Sequence, residues 1–137
     1  MTLPPGSYHV LSVWQPWAWC LFHGKGIENR PWATNYRGPL LIHAAKNRAA
    51  LDLIPDIETR FQLKIPLPDL AFGALIGWTE IHDCHHSQVA SSCGWGMPGG
   101  FHWHVRGQQL LDQPIPCRGY QRIFNVTLPL PPEQTLL

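Results

Sequence analysis

A chain of 137 residues, 45% hydrophobic and 14% charged, is the size of one domain with one core, and its apolar content excludes a largely disordered polymer. No stretch approaches the roughly 18 to 20 apolar residues of a membrane span, and Met1 to Gly6 lacks the basic and apolar regions of a signal peptide. The four cysteines then read as reduced thiols, and the expectation is a cytoplasmic protein with no membrane partner.

Tyr8 to Val13 is a short β-prone run, after which Gln15-Pro16 starts a helix, because proline at a first helical position loses no needed hydrogen bond. Trp17, Cys20 and Leu21 recur at three and four, and Gly24 is a natural stop. Ile27 to Arg30 is too short for a helix and is closed by Pro31; in an extended segment Glu28 and Arg30 share one face, Ile27 and Asn29 the other. Tyr36-Arg37-Gly38-Pro39 reads as a turn, and Leu40 to Ala45 as a strand apolar on both faces, hence central.

Asn47 can cap a helix through Leu51 and Ile54, with Pro55 ending it or starting a second one. Phe72 to Ile81 is a long β-prone run in which Gly73 and Gly77 predict bulges or tight bends. His82 to Gly100 is polar and glycine-rich and predicts an irregular loop; Phe101 to Arg106, Leu110 to Ile115 and Arg122 to Leu128 are the last strands. This organisation predicts an extension over 1–7, one domain over 8–128 and a proline-containing tail over 129–137. About six short strands with a helix after the first and another in the middle suggest a mixed barrel and not a parallel βαβ sheet.

The net charge of +1 hides an uneven distribution: Lys25, Arg30, Arg37, Lys46 and Arg48 stand against Glu28 alone between 25 and 48, while the stretch 49–100 is acidic by four charges. Such a split is compatible with one basic face.

The run Leu11-Ser12-Val13-Trp14-Gln15-Pro16-Trp17-Ala18, followed by Gly24-Lys25, Glu28-Asn29-Arg30, Trp32, Tyr36-Arg37-Gly38 and Leu41 to Lys46, resembles an ASCH domain, as do Gly73 to Ile81 and Ile115 to Gly119. The resemblance implies an α+β, PUA-like small mixed β-barrel of about six strands with two or three helices. It also implies a basic cleft carrying a Gly-x-Lys-x-x-Glu-x-Arg signature, a role in binding RNA or other nucleic acid, and in one branch amide hydrolysis on an N4-acylated cytidine. Here Gly24 is followed directly by Lys25, so the signature is one residue short, although Lys25, Glu28 and Arg30 keep their mutual spacing.

The candidate nucleic-acid site is therefore Lys25, Glu28, Arg30, Arg37 and Lys46 with Trp17 and Trp32. Arginine can grip a phosphate through a bidentate fork, and an aromatic face can stack on a base. Against this stands a bland alternative, an internal ion pair around Glu28 with Trp14, Trp17 and Trp32 in the core, which the usual burial of large aromatics favours for the tryptophans. The alternative function is a small amidohydrolase acting on a modified nucleoside or nucleotide such as N4-acetylcytidine, or a nuclease, with Lys25, Glu28 and Glu80 as catalytic candidates. That branch carries a threonine where this chain has Glu28, which weakens the transfer. His43, within an apolar strand, reads as a hydrogen-bonded core residue.

His82, Asp83, Cys84, His85, His86 and Cys93, with His102 and His104, are of zinc-binding types, but Cys84 and Cys93 lack a paired knuckle and adjacent histidines rarely hold one ion, so no metal is expected. There is no nucleophile elbow, phosphate-binding glycine loop or dinucleotide fingerprint, and no cofactor is expected. Gly94 to Gly100 reads as a lid with Trp95 as a stacking residue, or as an exposed connector.

Overall fold

The computed structural model describes residues 1–132. Its elements in chain order are β1 (Gly6–Val13), α1 (Trp17–Cys20), β2 (Ile27–Arg30), β3 (Gly38–Ala44), a 3-10 turn (Ala49–Leu53), α2 (Ile54–Phe61), a second 3-10 turn (Leu67–Asp69), β4 (Ala74–Ser87), β5 (Gly100–Pro116) and β6 (Ile123–Leu128). The tail expected over 129–137 lies, from residue 133 on, outside the described residues.

The six strands form one mixed sheet in the order β2-β5-β4-β3-β1-β6, with β1 and β3 parallel and every other neighbouring pair antiparallel. The expected barrel is not closed: β2 and β6 are its two edges. β2 is only four residues long and is followed by Pro31, which has no N–H to continue a ladder. A side chain spans the gap instead, Arg30 Nη2 donating to Ser12 O of β1 at 2.9 Å.

β3 is central, as its two apolar faces require. Leu40, Ile42 and Ala44 join Leu11, Val13, Leu21, Ile81 and Trp103 on one side, while Leu41 joins Val10, Leu75, Leu111 and Leu128 on the other. A third cluster of Cys20, Ile54, Ile57, Ile65 and Trp95 seats α2 beside α1. α1 is short, and the buried Gln15 side chain supports its start: Oε1 accepts Trp19 N–H at 2.9 Å and Nε2 donates to Ala71 O at 3.1 Å. Pro55 starts α2 and does not end it, while Asn47 Oδ1 accepts Ala49 N–H at the head of the 3-10 turn.

Two expectations about the second half are corrected. His82 to Ser87 belong to β4, and Asp83 to Ser87 pair with Gly100 to His104 of β5; only residues 88–99 form the connection. The β4 side of this ribbon, His82 to Ser87, is largely exposed, so no apolar alternation announces it. Phe101 to Arg106 and Leu110 to Ile115 are one strand, running through Gly107 at φ +67°. Register shifts in the β4–β5 pair at Leu75/Gly77, Trp78/Glu80 and Ile81/Asp83 bend the hairpin there, and the first coincides with the bulge expected near Gly77.

Candidate nucleic-acid interface

α1 ends in a turn where Gly24, at φ +106°, sends the chain back so that Lys25 N–H reaches Cys20 O at 3.0 Å. That turn aims Lys25 inward. Its Nζ donates to Ile27 O and, at 2.9 Å, to Glu28 Oε1, while Arg30 holds Glu28 Oε2 through Nε at 3.0 Å and Nη2 at 2.9 Å. The period of two in β2 thus places Glu28 and Arg30 together. Lys25 is 2% and Glu28 7% exposed, so in this cation–carboxylate–cation chain the lysine and the carboxylate are buried while Arg30, with 17% of its side chain exposed, reaches the surface. Burial pushes the Glu28 carboxyl upward, but the Lys25 and Arg30 charges and hydrogen bonds outweigh it and hold it below the ordinary carboxylate value.

This chain stands between two depressions. The smaller, about 460 Å³, has Lys25, Glu28 and Trp17 in its wall, with Asn29, Arg60, Phe61, Trp95 and Met97. Trp95 is buried and stacked on Phe61, ring centroids 3.4 Å apart and planes 6° apart, and Asn29 holds the connection by donating to Trp95 O at 2.9 Å and accepting Met97 N–H at 2.8 Å. The segment around Trp95 is therefore not the exposed connector that was one of its two readings.

The larger cleft, about 920 Å³, lies on the other side of Arg30. Its walls carry Arg30, Lys46, Arg118 and Arg122 and no acidic residue. Its aromatic lining is Trp14, Trp32 and Tyr120, of which Trp14 is 47% and Tyr120 48% exposed. Two guanidinium groups lie over the Trp32 ring, Arg122 at 5.0 Å and Arg30 at 5.5 Å from its centroid. Arg118 and Arg122 come from the segment between β5 and β6, brought beside β1 and β3 by the antiparallel pairing of β6 with β1.

In the floor of this cleft, His43 Nε2 donates to Cys117 O at 2.8 Å, which fixes the tautomer and leaves Nδ1 to accept the Ser12 hydroxyl at 2.8 Å. Burial lowers the His43 pKa, the Cys117 carbonyl raises it in part, and the Lys46 charge lowers it again. Gly119 is required here: a Cβ would stand 2.6 Å from His43 Cε1 and 3.0 Å from Ser12 Oγ.

The residues singled out from sequence are thus divided. Arg30, Trp32 and Lys46 line the larger cleft, Lys25, Glu28 and Trp17 the smaller one. Arg37 lines neither; it donates to Thr34 O at 3.0 Å and Tyr36 O at 2.9 Å on the surface. Glu80 lines neither as well and pairs across the strands with Arg106. Trp17 and Trp32 pack partly buried against the core, as the bland reading of the tryptophans has it, whereas Trp14 is exposed. Sequence reasoning did not place Arg118, Arg122 or Tyr120 in a site; the signal at hand was Arg118-Gly119 inside a motif that already resembled the family. All four cysteines are free thiols, as expected.

The family model of the ASCH domain matches residues 11–125. The chain belongs to the ASCH family. Activating signal cointegrator 1 of Homo sapiens and that of Mus musculus are each 34% identical to this ASCH chain over 80 residues, which cover 54% of the chain and 14% of the relative. The chain thus matches a small part of the length of these relatives. The fold is the α+β, PUA-like one that the resemblance implied, with the sheet left open. No helix among the described residues is long and apolar enough to cross a membrane.

Proposed function

We propose that this ASCH domain binds single-stranded RNA along the larger cleft. The observation that carries the reading is its lining: four basic side chains, no carboxylate, and two aromatic rings half open to solvent. The cations attract and release counterions from phosphates, the arginines adding bidentate geometry, and Trp14 and Tyr120 offer faces for unstacked bases. Buried Lys25 and Glu28 act at a distance in this reading, Glu28 fixing the Arg30 guanidinium at the cleft wall. RNA is placed before DNA on the family resemblance.

Titration of labelled single-stranded RNA at several salt concentrations tests it. With three or four phosphates neutralised, the log–log slope of affinity against salt is roughly −2 to −3, each contact contributing about −0.7. Arg118→Ala and Arg122→Ala each flatten the slope by about one contact, while Trp14→Ala and Tyr120→Ala weaken binding by about 1–3 kcal/mol at unchanged slope. Absence of binding at low salt, or equal binding by the arginine variants, overturns the proposal.

The smaller pocket supports a second reading, hydrolysis of an acylated nucleoside, because Lys25 and Glu28 meet three aromatic side chains there in a space of ligand size. We rank it second because Lys25 already gives its protons to Ile27 O and Glu28. The expected outcome is little or no acetate from N4-acetylcytidine; turnover of about 1 per second or more that Lys25→Ala abolishes reverses the ranking.

A further inference from the structure

The β4–β5 ribbon, exposed along β4 but buried at His102 of β5, gathers histidines that neither cleft uses. Asp83 is opposite His104 and His85 opposite His102 in the antiparallel register. Facing residues, and residues two apart on one strand, share a face, so all four side chains stand on the same side of the ribbon. One ring nitrogen from each of His85, His102 and His104 lies within 4.8 Å of the others, and the His85 and His104 rings are 4.9 Å apart at their centroids. His85 Nδ1 is 3.5 Å from Asp83 Oδ2, and His102 Nε2 donates to Met97 O at 2.6 Å. His104 Nε2 is buried and has no hydrogen-bond partner among the described residues.

A buried ring nitrogen without a partner costs free energy, and in the tautomer with the proton on Nδ1 a bond to the Nε2 lone pair would offset that cost. The neighbouring imidazoles do not supply that bond, although they crowd around it. We propose that His85, His102 and His104 bind one divalent transition-metal ion of the zinc class, with the fourth position left to water on the side of the exposed His85. Three imidazoles and an open position are a familiar zinc donor set, and an all-nitrogen set excludes magnesium and calcium, which take oxygen. Ligand nitrogens around tetrahedral zinc sit roughly 3.3 Å apart, as bonds of about 2.0–2.1 Å require. The His85 and His104 rings are stacked at 22°, so binding requires the exposed His85 ring to turn out of that stack and bring its nitrogen toward those of His102 and His104. Asp83 is then the outer partner that orients His85.

The sequence predicts no metal because Cys84 and Cys93 form no paired knuckle and adjacent histidines rarely hold one ion. Strand pairing supplies what spacing lacks: His102 and His104 reach the same side from one strand and His85 from its neighbour. His85 and His86, which alternate faces, are not required to share the ion.

The test uses untagged, chelator-treated full chain, with Zn²⁺ followed by calorimetry and Co²⁺ by its visible absorption. We expect one ion per chain, a tetrahedral Co²⁺ spectrum, and a melting temperature that rises with Zn²⁺. His85→Ala, which changes an exposed side chain, and His104→Gln should each weaken Zn²⁺ binding at least tenfold. Asp83→Asn should weaken it by about 10- to 100-fold, and His86→Ala should leave it unchanged. No saturable Zn²⁺ uptake by the wild type overturns the proposal. So does uptake that survives the His85→Ala/His104→Gln double variant, or that is lost only on replacing Cys84 or Cys93.

Discussion

Glu28 is the residue on which the interior between the two clefts turns. It neutralises Lys25, which is shut off from water, and it orients Arg30, which faces the larger cleft. Glu28→Gln keeps the shape and removes the charge, leaving the buried Lys25 without its counter-charge; breaking such a pair costs about 3–5 kcal/mol, which urea unfolding at pH 7 should read. The pH dependence has a definite sign. A carboxyl held below its ordinary value contributes stability that is complete above the unfolded-state pKa of about 4.3 and is lost as pH falls through the lower folded-state value. The stability gap between wild type and Glu28→Gln should therefore shrink below about pH 4.3. His43 acts in another window. Its lowered pKa means that the unfolded chain takes the proton first, so its contribution is present above about pH 6.5 and declines below it. Melting curves between pH 8 and 5 should show that decline in the wild type and a shallower one in His43→Gln.

At the scale of elements, the long β4–β5 hairpin and its bends decide where everything else can pack. Gly77 sits at the first register shift, where a Cβ would stand 2.3 Å from the Phe22 ring and 2.8 Å from Gln109 O. The close approach of the turn after α1 to β4 therefore needs a glycine. Gly77→Ala should cost about 1–3 kcal/mol through overpacking. Gly24 differs, since a Cβ there meets nothing within 4 Å and the cost of Gly24→Ala is only that of its positive φ, about 1 kcal/mol. Thermal unfolding of the two variants checks the order. The missing residue of the family signature falls at this turn, yet Lys25 still reaches Glu28, because they follow the turn together and keep their spacing.

Across the whole molecule, charge that looks scattered along the chain is sorted by the sheet. Lys46 after β3, Arg30 at the end of β2, and Arg118 and Arg122 ahead of β6 meet in one cleft because β1 lies between β3 and β6 and Arg30 reaches across the open side to β1. This separates Lys25 from the exposed cations. Lys25→Ala should lower stability while leaving the salt slope of RNA binding near the wild-type value, whereas Arg118→Ala should flatten the slope at nearly unchanged stability; unfolding and binding titrations on the same samples check both. Much of the fold was legible in sequence, because apolar, β-prone runs mark strands that are buried: Tyr8 to Val13, Leu40 to Ala45 and Phe72 to Ile81 all lie largely within observed strands. The local link of Glu28 to Arg30 was legible too, since a period of two is a property of any extended chain. Tertiary structure decided the rest. Whether the sheet closes depends on what the four-residue β2 pairs with, and the exposed His82 to Ser87 ribbon has no apolar signal of its own. Which cations share a cleft is set by strand order, because residues some ninety positions apart become neighbours only through hydrogen bonds that no local pattern encodes.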